Sequence, residues 1–363
     1  MIEIKGKSGI VAKILADSVN EQGNRLTTFE LTYPRMVHSE ILTHKMLCSN
    51  SASSRAIPFA KMAEQLTARP VRFGQANPGM QDKGEEFDAT VFVHRYMVEA
   101  FKHWIVNHVP EEEHHTRWDE EANGYWTTPQ NWWKFSGFLA NGCAQMFHES
   151  GYHKQVYNRR TEADQMMKTV LSGTEFDNFF WLRNDSAADP TLHELARCMQ
   201  EAREKSVPQL LKAGEWHLPY VLTDYEDGKQ VYMVEQEVEG WGTAGYYMTL
   251  ENAIKVSCAR TAAVSFRNED YGLEKCLEVY ARLIGDERKH ASAMQHAATP
   301  MHKKVENIGT HMTRKDYINI PSDPSSWEKG ISHSDRNRKL WSAQYCGFIM
   351  HRKTIPGENY VNA

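Results

Sequence analysis

Two stretches near the start of the chain alternate apolar and polar residues, which is the period of a strand with one buried face. They are IVAKILADSV and LTTFELTY, within residues 9–34. The polar run Asn-Glu-Gln-Gly-Asn between them is typical of a turn. The pattern therefore predicts two strands joined by a turn.

Helical spacing of apolar residues dominates the rest of the chain. The predicted helices begin after Pro34 and then cover residues 89–109, 137–168, 174–213, 249–264 and 273–298, with a break near residues 171–173. Short β-like runs lie in residues 217–247 and in FIMHRKTIP near the C-terminal end. Residues 71–87 are predicted to form a loop, and the polar residues 301–340 an insertion or surface segment. The pattern predicts a mixed fold in which helices dominate.

Composition places the chain among soluble globular proteins. Of its 363 residues, 41% are hydrophobic and 25% are charged, enough for one large domain or two ordinary ones. The sequence contains no apolar run that approaches the roughly 18–20 residues of a membrane span, and its first residues lack the apolar core of a signal peptide. The net charge of −5 argues against a general nucleic-acid-binding surface. We therefore expect a cytoplasmic protein that binds neither nucleic acid nor membranes.

Three features suggest a disulfide or zinc site, a metal site and a dinucleotide-binding loop, but their spacing and surroundings argue against each. The six cysteines form no C-x-x-C pair, which predicts reduced core residues. HESGYH at 148–153 places its histidines five residues apart, off a common helical face, so no metal site is expected. GWGTAG at 240–245 matches the dinucleotide-binding pattern G-x-G-x-x-G, but an acidic run precedes it, which favours a glycine turn.

The segment THKMLCSNSASSRAIP, residues 43–58, carries the clearest chemistry. Its serine hydroxyls and backbone N–H groups can donate hydrogen bonds to an anion, and the planar guanidinium of Arg55 can hold a phosphate at two points. Leu47 and the apolar residues 56–58 bound the loop and are expected to anchor both its ends. The segment therefore predicts an anion cradle, with an ordinary serine-rich linker as the alternative.

Further candidates lie later in the chain. HKQVYNRR at 153–160 is a second basic group, and Arg183 lies in the apolar segment EFDNFFWLRND. A buried arginine needs a partner, which is either a ligand carbonyl or phosphate or the nearby Asp185. The aromatic run YWTTPQNWWKF at 125–135 predicts either core packing or an aromatic wall for a ring.

The serine-rich segment resembles the signature of the flavin-dependent thymidylate synthases, R-H-R-x-x-S-x-N-x-x-S-x-R. Residues 43–45, Thr-His-Lys, are followed after seven residues by Ser53, and Asn50 and Arg55 are in register. Cys48 stands where the signature has a serine.

Other parts of the chain are similar to later motifs of the same family. Residues 178–179, 182–183 and 185 resemble the motif N-x-R-x-x-x-N-F-x-x-L-R-x-D. Residues 292–296 resemble S-P-F-E-H, and residues 259–260 and 264–266 resemble A-R-x-S-[FY]. In typical members the Ser/His segment precedes R-H-R, whereas here it lies near the C-terminal end, so the chain resembles a circularly permuted form.

The longer permuted form is similar to bacteriophage versions of the family. Segments 55–58, 77–81, 214–217 and 355–358 fit that branch. The resemblance implies one domain over residues 1–363, with insertions at about 83–136 and 302–345. It further implies an α+β, helix-rich thymidylate synthase-like fold with a mostly antiparallel sheet, located in the host cytoplasm if a phage encodes it.

The resemblance also implies roles for individual positions. The implied nucleotide-binding residues are Glu40, Ser51, Ser53, Ser54, Arg55, Asn158, Arg159 and Arg183. The implied FAD-contacting residues are His44, Lys45, Gln155, Asn178, Ser265, His296 and Thr299. Arg183 is implied to be catalytic by polarising the pyrimidine, and no metal is implied. Because the family forms homotetramers with sites between subunits, we expect a homotetramer.

The implied reaction is methylation of dUMP at C5 to give dTMP, with FAD as cofactor and methylene-tetrahydrofolate and NADPH as co-substrates. Stabilised negative charge on the ring makes C5 nucleophilic, and a guanidinium at a ring carbonyl supplies that stabilisation. A cysteine nucleophile is then not required, although Cys48 leaves covalent catalysis as an alternative.

Departures from the family pattern leave two alternatives for the pyrimidine, uracil and cytosine. Thr43 and Lys45 replace the arginines of R-H-R, Asn158 stands where many members have arginine, and Ala187 replaces a histidine. An amide both donates and accepts hydrogen bonds, so Asn158 suits a cytosine edge as well as a uracil edge. A flavin-dependent dCMP methylase, hydroxymethylase or hydroxylase for modified phage DNA is one alternative. A flavin- or nucleotide-binding homologue without catalysis is another.

Overall fold

The structure is a computed structural model that describes residues 2–64, 66–78, 84–238, 242–266, 271–301 and 324–359. The α-helices of these residues are α1 His38–Ile41, α2 Phe59–Ala63, α3 Val98–His108, α4 Pro129–Glu149, α5 Lys154–Tyr157, α6 Asp177–Arg183, α7 Pro190–Lys205, α8 Leu250–Ala263 and α9 Leu273–Gly285. The strands are β1 Glu3–Lys5, β2 Val11–Asn20, β3 Arg25–Pro34, β4 Cys48–Ser51, β5 Val91–Val93, β6 Arg117–Asp119, β7 Gly124–Thr127, β8 Met166–Gly173, β9 Gln209–Leu211, β10 Leu222–Glu226, β11 Lys229–Val238, β12 Gly242–Met248, β13 Ala298–Pro300, β14 His333–Ser334, β15 Leu340–Ser342, β16 Tyr345–Cys346 and β17 Phe348–Met350. None of the helices in this part of the chain has the length and apolar character that crossing a bilayer requires.

The main sheet has the strand order β1-β2-β3-β8-β4, and β9 pairs with β2. Only the β2–β9 pair of this sheet is parallel within the described residues, and its other pairs are antiparallel. The chain is thus a mixed α and β protein with mostly antiparallel sheets, as predicted for an α+β fold.

The predicted strand pair at the start of the chain is confirmed as β2 and β3. The Asn20 side chain closes the turn between them, because its Oδ1 accepts hydrogen bonds from the N–H groups of Gln22 at 3.1 Å and Asn24 at 2.9 Å. An asparagine that bonds its own following backbone in this way stabilises a tight turn. The expected strands in 217–247 are also confirmed, as the three-stranded sheet β10-β11-β12, and so is the one in FIMHRKTIP, as β17.

The helix predicted over 137–168 is wrong at its end, and the break predicted near 171–173 is part of a strand. The helix predicted over 174–213 is two helices, α6 and α7, followed by β9. Residues 166–173 form β8, which lies between β3 and β4 in the main sheet. The last five residues of the strand, 169–173, are all buried, so the strand shows little apolar–polar alternation. A strand buried on both faces cannot be distinguished from a buried helix by its period.

Three other helix predictions hold only in part. The helix after Pro34 is a short 3-10 turn followed by α1, and the one over 89–109 begins with β5 before α3. The helix over 273–298 ends at Gly285. The helix at 249–264 is confirmed as α8, where the Thr249 side chain accepts a hydrogen bond from the N–H of Asn252 as an N-cap. Most of the segment 301–340 and part of the glycine run 240–245 lie outside the described residues.

Helix α7 covers one face of the main sheet. Phe29, Leu31 and Leu171 point to that face and share a buried cluster with Leu195 and Met199 of α7. This alternation along β3 places Thr28 and Glu30 on the opposite face, under the C-terminal part of the chain. The two polar residues are paired there, Thr28 with Ser172 at 2.7 Å and Glu30 with Tyr220 at 2.6 Å.

The segment 91–139 has an apolar cluster of its own. The strands β5, β7 and β6 form a small antiparallel sheet. Phe101, Trp104 and Phe135, on α3 and α4, are the largest buried side chains of the cluster. Tyr125 and Trp132 of the aromatic run pack against this cluster, which supports the core-packing interpretation of that run.

Two buried histidines lie in the seam between the main sheet and the C-terminal part. His217 is hydrogen-bonded to Ser18 Oγ and Thr28 Oγ1, both at 2.8 Å, and His296 Nδ1 to Ser172 Oγ at 2.7 Å. Burial lowers the pKa of His217 to about 4 and that of His296 to about 3. Both imidazoles are therefore neutral in the folded protein at pH 7.

We expect acid to destabilise the protein through these histidines. As the pH falls below about 6.5, the unfolded chain binds protons that folded His217 and His296 do not, so the free energy of unfolding falls by up to about 1.4 kcal/mol per pH unit for each histidine. The loss continues until the pH reaches the folded-state values near 4 and 3. Urea unfolding from pH 7 to pH 5 measures it. His217→Gln and His296→Gln should flatten the dependence, whereas exposed His115→Gln should not. Equal slopes for all four proteins would contradict the assignment.

Candidate functional site

The serine-rich loop after β4 is held at both ends, as the sequence predicts. Ile57 is buried, and the Asn158 side chain donates to the carbonyls of Ser54 at 2.8 Å and Ile57 at 2.9 Å. Lys154 Nζ donates to the carbonyl of Ala56 at 2.8 Å. The N–H groups of Ser53 and Ala56 are used within the fold, on the carbonyls of Ser265 and Ser53, which leaves those of Ser54 and Arg55.

The amide of Asn158 therefore holds the loop rather than a base. Its side chain is 1% exposed, and both protons of its amide are used on the two loop carbonyls. Its Oδ1 has no partner within the described structure. The predicted nucleotide-binding role of Asn158 is thus indirect in this arrangement, because a buried donor already in use cannot read a ligand edge.

We expect Asn158→Asp to destabilise the protein. The substitution keeps the shape but replaces a two-proton donor by an acceptor, so that two loop carbonyls lose their partner. Each unsatisfied buried group costs about 1–3 kcal/mol, and a lowered thermal midpoint in calorimetry measures the sum. Exposed Asn107→Asp, which also removes an amide-to-carbonyl bond, is the matched control. An unchanged midpoint for Asn158→Asp would show that the loop does not depend on this amide.

Several donors of the loop are available to a ligand. In the part of the chain that the structure describes, the backbone N–H groups of Ser54 and Arg55 have no acceptor, and the exposed guanidinium of Arg55 has none either. The Ser54 hydroxyl is not available, because it donates to Glu162 Oε1 at 2.8 Å, which also pairs with Arg35 at 3.0 Å. Ser54 can therefore serve an anion through its backbone and not through its side chain.

Ser265 joins the loop from the 3-10 turn after α8. Its carbonyl accepts the N–H of Ser53 at 3.3 Å, and its hydroxyl donates to the carbonyl of Ser51 at 3.5 Å. The structure thus brings a residue with an implied FAD role into contact with two residues with an implied nucleotide role.

Arg183, at the end of α6, is held by His44. Its Nε donates to His44 Nε2 at 3.0 Å, and the His44 ring lies edge-on to Phe179 with 4.9 Å between ring centroids. Burial lowers the pKa of His44, and the charge of Arg183 lowers it further, so the ring is a neutral acceptor. The arrangement fixes the direction of the guanidinium.

The internal partner considered for Arg183 is not used. Asp185 Oδ1 accepts instead from the N–H of Ala187 at 2.8 Å, and within the described ranges the hydrogen bond of Arg183 goes to His44. The terminal nitrogens of Arg183 have no acceptor there. Leu182, in the apolar segment that carries Arg183, is 41% exposed.

Glu40, one turn before His44, lies in the field of Arg183. Burial raises the pKa of its carboxyl, the charge of Asp189 raises it further, and Arg183 lowers it. A carboxyl and a guanidinium on adjacent elements offer an acceptor and a donor to the same ligand edge.

A cleft of about 320 Å³ opens beside this group. His44, Lys45 and Ser49 line it together with the amides of Gln295 and Gln344, and Ile41, Leu47 and Leu171 supply its apolar wall. Apolar walls with a few polar groups are typical of a site for a planar ligand. No role was predicted for the cleft residues Gln295, Gln344 and Leu171. Gln295 lies in the motif-like segment 292–296, whereas Gln344 and Leu171 come from distant parts of the chain that carried no signal.

Cys48 also lines this cleft but is a poor nucleophile. Burial raises the pKa of its thiol to about 12. A protonated thiol does not attack a ring carbon at neutral pH, so the arrangement disfavours covalent catalysis through Cys48.

The remaining predicted residues lie at varying distances from these groups. Gln155 and Arg159 are exposed and contact each other through the Arg159 Nε–Gln155 carbonyl bond of 3.3 Å. Asn178 is exposed on α6. His296 is fully buried against Ser172, and Thr299 in β13 donates to the Glu215 carbonyl at 2.8 Å. Within the described residues, neither His296 nor Thr299 forms a hydrogen bond with the loop or with Arg183.

The site therefore consists of two groups in one chain. We call the loop residues 51–55 with Ser265 the loop group, and Glu40, His44 and Arg183 the arginine group. Strand β4 connects them, with the cleft at its start and the loop at its end. No hydrogen bond or ion pair joins the two groups directly in the residues that the structure describes.

Comparison with known proteins adds no identification. No model of a known protein family matches the chain, and no curated protein gives a significant match. Described residues also contain no cluster of His, Cys, Asp and Glu that could hold a metal ion. The function has to be inferred from the residues of the two groups.

Proposed function

We propose that the protein is a flavin-dependent thymidylate synthase-like enzyme, circularly permuted, that methylates dUMP at C5 with methylene-tetrahydrofolate and NADPH. The single observation that carries the proposal is the 3.0 Å bond from Arg183 Nε to His44 Nε2 beside the cleft. It joins two separate motifs of the resemblance, the histidine of R-H-R and the arginine of L-R-x-D.

The loop group binds the phosphate in this proposal. The N–H groups of Ser54 and Arg55 and the Arg55 guanidinium together present donors only, which is what a dianionic phosphate requires. Asn158 and Lys154 hold the carbonyls of the same turn away from the phosphate.

The arginine group acts on the pyrimidine. His44 occupies Arg183 Nε, so the two terminal nitrogens of the guanidinium remain for a ring carbonyl. Negative charge on the ring then spreads to C5, which becomes nucleophilic toward the methylene carbon of the folate. Because His44 is neutral, it orients the guanidinium without adding a second positive charge.

In this proposal the isoalloxazine ring of FAD binds in the cleft beside His44 and Lys45. The apolar wall suits a flat ring, and the side chains of Lys45, Gln295 and Gln344 can bind its polar edge. When bound, the flavin transfers to the substrate the reducing equivalents that NADPH supplies. The protein's own part is to place the ring against the nucleotide and to exclude water.

We propose that one complete site combines the loop group of one subunit with the arginine group of another, in a homotetramer. Two groups that one chain does not join directly can meet across a subunit interface, where symmetry repeats each site. Exposed Leu42, Met46, Trp181 and Leu182 lie on the elements of the arginine group and supply apolar surface for such a contact.

We expect two variants that have little activity at low dUMP concentration to complement each other. In a co-expressed mixture of Arg55→Ala and Arg183→Ala subunits, about a quarter of the shared sites combine an intact loop group with an intact arginine group. The mixture should recover a corresponding part of the wild-type activity, and sedimentation should show a tetramer. A monomer in sedimentation, or a mixture as inactive as its components, would contradict a shared site.

The flavin part of the proposal is tested by absorbance. We expect the purified protein to bind FAD, to be yellow and to be bleached by NADPH in the absence of oxygen. A protein that stays colourless after incubation with FAD would overturn the flavoenzyme proposal. A yellow protein that NADPH does not bleach would favour the binding homologue without catalysis.

A further inference from the structure

A row of four hydrogen-bonded side chains runs from α1 to the serine-rich loop. His38 Nδ1 lies 2.8 Å from Tyr33 Oη, Tyr33 Oη lies 2.9 Å from Thr169 Oγ1, and Thr169 Oγ1 donates to Ser51 Oγ at 3.0 Å. Tyr33 and Thr169 are fully buried, whereas His38 and Ser51 are half-buried. The antiparallel pairing of β4 with β8 sets Ser51 directly opposite Thr169.

The row has one direction, because each hydroxyl carries a single proton. Thr169 donates its hydroxyl proton to Ser51, so it must accept a hydrogen bond from Tyr33. Tyr33 then donates its own proton to Thr169 and must accept a hydrogen bond from His38. His38 therefore carries its proton on Nδ1.

The protonation states of His38 and Tyr33 suit this direction. Burial lowers the pKa of His38 to about 4, and the charge of Arg35 lowers it further, while Glu162 partly opposes both. The imidazole is thus neutral at pH 7, so its tautomer matters. Burial also raises the pKa of Tyr33, which keeps its hydroxyl protonated.

At the other end, Ser51 is left as a donor. Its Oγ accepts the proton of Thr169, and its own proton has no acceptor within the described residues. A serine that donated inward to Thr169 would turn a lone pair toward the loop and repel an anion. A serine that accepts from inside can only turn its proton outward, which a phosphate without protons requires.

We propose that His38, Tyr33 and Thr169 form a positioning relay that fixes the Ser51 hydroxyl as a donor to the phosphate of the nucleotide. This inference rests on the proposed function, since it takes the loop group to bind a nucleotide phosphate. The three relay residues touch no ligand themselves and act through Ser51.

The direction of the relay is measured without any ligand. Nitrogen NMR of protein labelled with ¹⁵N-histidine distinguishes the two neutral tautomers, and His38→Gln assigns the His38 signals among those of the 17 histidines. We expect the proton of His38 on Nδ1. A proton on Nε2 would overturn the relay.

The role of the relay is measured by a double-mutant cycle on dUMP affinity. We expect Tyr33→Phe, which leaves the Ser51 hydroxyl in place but unoriented, to weaken dUMP binding about three- to tenfold. Ser51→Ala removes one hydrogen bond to a charged group and should weaken it about tenfold or more. If Tyr33 acts through Ser51, adding Tyr33→Phe to Ser51→Ala should cause no further loss. Effects that multiply in the double variant would overturn the relay.

Two further variants separate the relay from a general packing effect. Thr169→Val breaks the same row without removing an aromatic ring and should reproduce Tyr33→Phe. Tyr280→Phe removes another buried tyrosine hydroxyl, which bonds His351 at 2.9 Å in the C-terminal part, and should leave dUMP affinity unchanged. Equal losses for Tyr33→Phe and Tyr280→Phe would also overturn the relay.

The same titrations separate the relay from the function on which it rests. A wild-type protein that binds neither dUMP nor dCMP overturns the proposed function and the relay's role together. A wild-type protein that binds dUMP, with independent effects of the two variants, overturns the relay alone.

Discussion

Replacing Arg183 by alanine is expected to lower the turnover of dUMP about 10²- to 10³-fold, while dUMP affinity changes much less. The estimate is that for losing one preorganised group at a developing negative charge, about 3–4 kcal/mol of transition-state stabilisation. Because His44 fixes the guanidinium through Nε at 3.0 Å, its terminal nitrogens are already aimed before substrate arrives.

Single-turnover formation of dTMP, followed by mass spectrometry, separates this effect from binding. Arg95→Ala is the control, since Arg95 is exposed and lies over the Tyr96 ring in the segment 91–139. Near wild-type turnover in Arg183→Ala would remove Arg183 from the chemistry. A large loss of affinity with unchanged turnover would make it a binding residue only.

Replacing Arg55 by alanine is expected to weaken dUMP binding about 10- to 100-fold, the loss of one or two hydrogen bonds to a charged phosphate. Deoxyuridine, which lacks the phosphate, is the matched ligand. Its affinity should be the same for the wild-type protein and the variant. Calorimetric titration with the two ligands gives the four affinities.

The comparison of ligands makes the prediction specific to the phosphate. If Arg55→Ala weakened deoxyuridine as much as dUMP, the guanidinium would act on the sugar, the base or the shape of the loop. If neither affinity changed, the exposed side chain of Arg55 would have no part in the site.

The local parts of the fold were predictable from the sequence because their signals are local. β2 and β3 show apolar–polar alternation, and the Asn20 turn has the residue type that bonds its own backbone. The Thr249 cap of α8 is likewise visible in the sequence. In each of these elements, the residues that decide the structure lie within a few positions of one another.

β8 was missed because its environment decides its structure. The strand lies between β3 and β4 and is buried on both faces, so its sequence has no clear period. The relay depends on this strand, since Thr169 belongs to it. A helix in its place would not have set Thr169 opposite Ser51.

The candidate site was predictable where motifs carry it. The loop and Arg183 were named from residue types and from the resemblance, and the structure adds the bond between Arg183 and His44. Lys154 was visible only as part of a basic run, and nothing in the sequence showed that its Nζ binds the Ala56 carbonyl. Glu162 carried no signal, because its partners Ser54 and Arg35 are brought to it by the fold.

The choice of base is the point at which the structure most changes the expectation. An amide at position 158 suggested that cytosine could be read as well as uracil. Because the two protons of that amide bind the carbonyls of Ser54 and Ile57, Asn158 no longer gives a reason to consider cytosine beside uracil. A dCMP-modifying enzyme would be recognised by its product.

The product of the complete reaction shows whether the protein methylates dUMP. Protein loaded with FAD is incubated with NADPH, methylene-tetrahydrofolate and an equal mixture of dUMP and dCMP, and the nucleotides are analysed by mass spectrometry. The account predicts that dUMP gains the mass of one CH₂ while dCMP is unchanged, and that Arg183→Ala abolishes most of the gain. Conversion of dCMP alone, or no conversion of either nucleotide by a protein that has bound FAD, would contradict it.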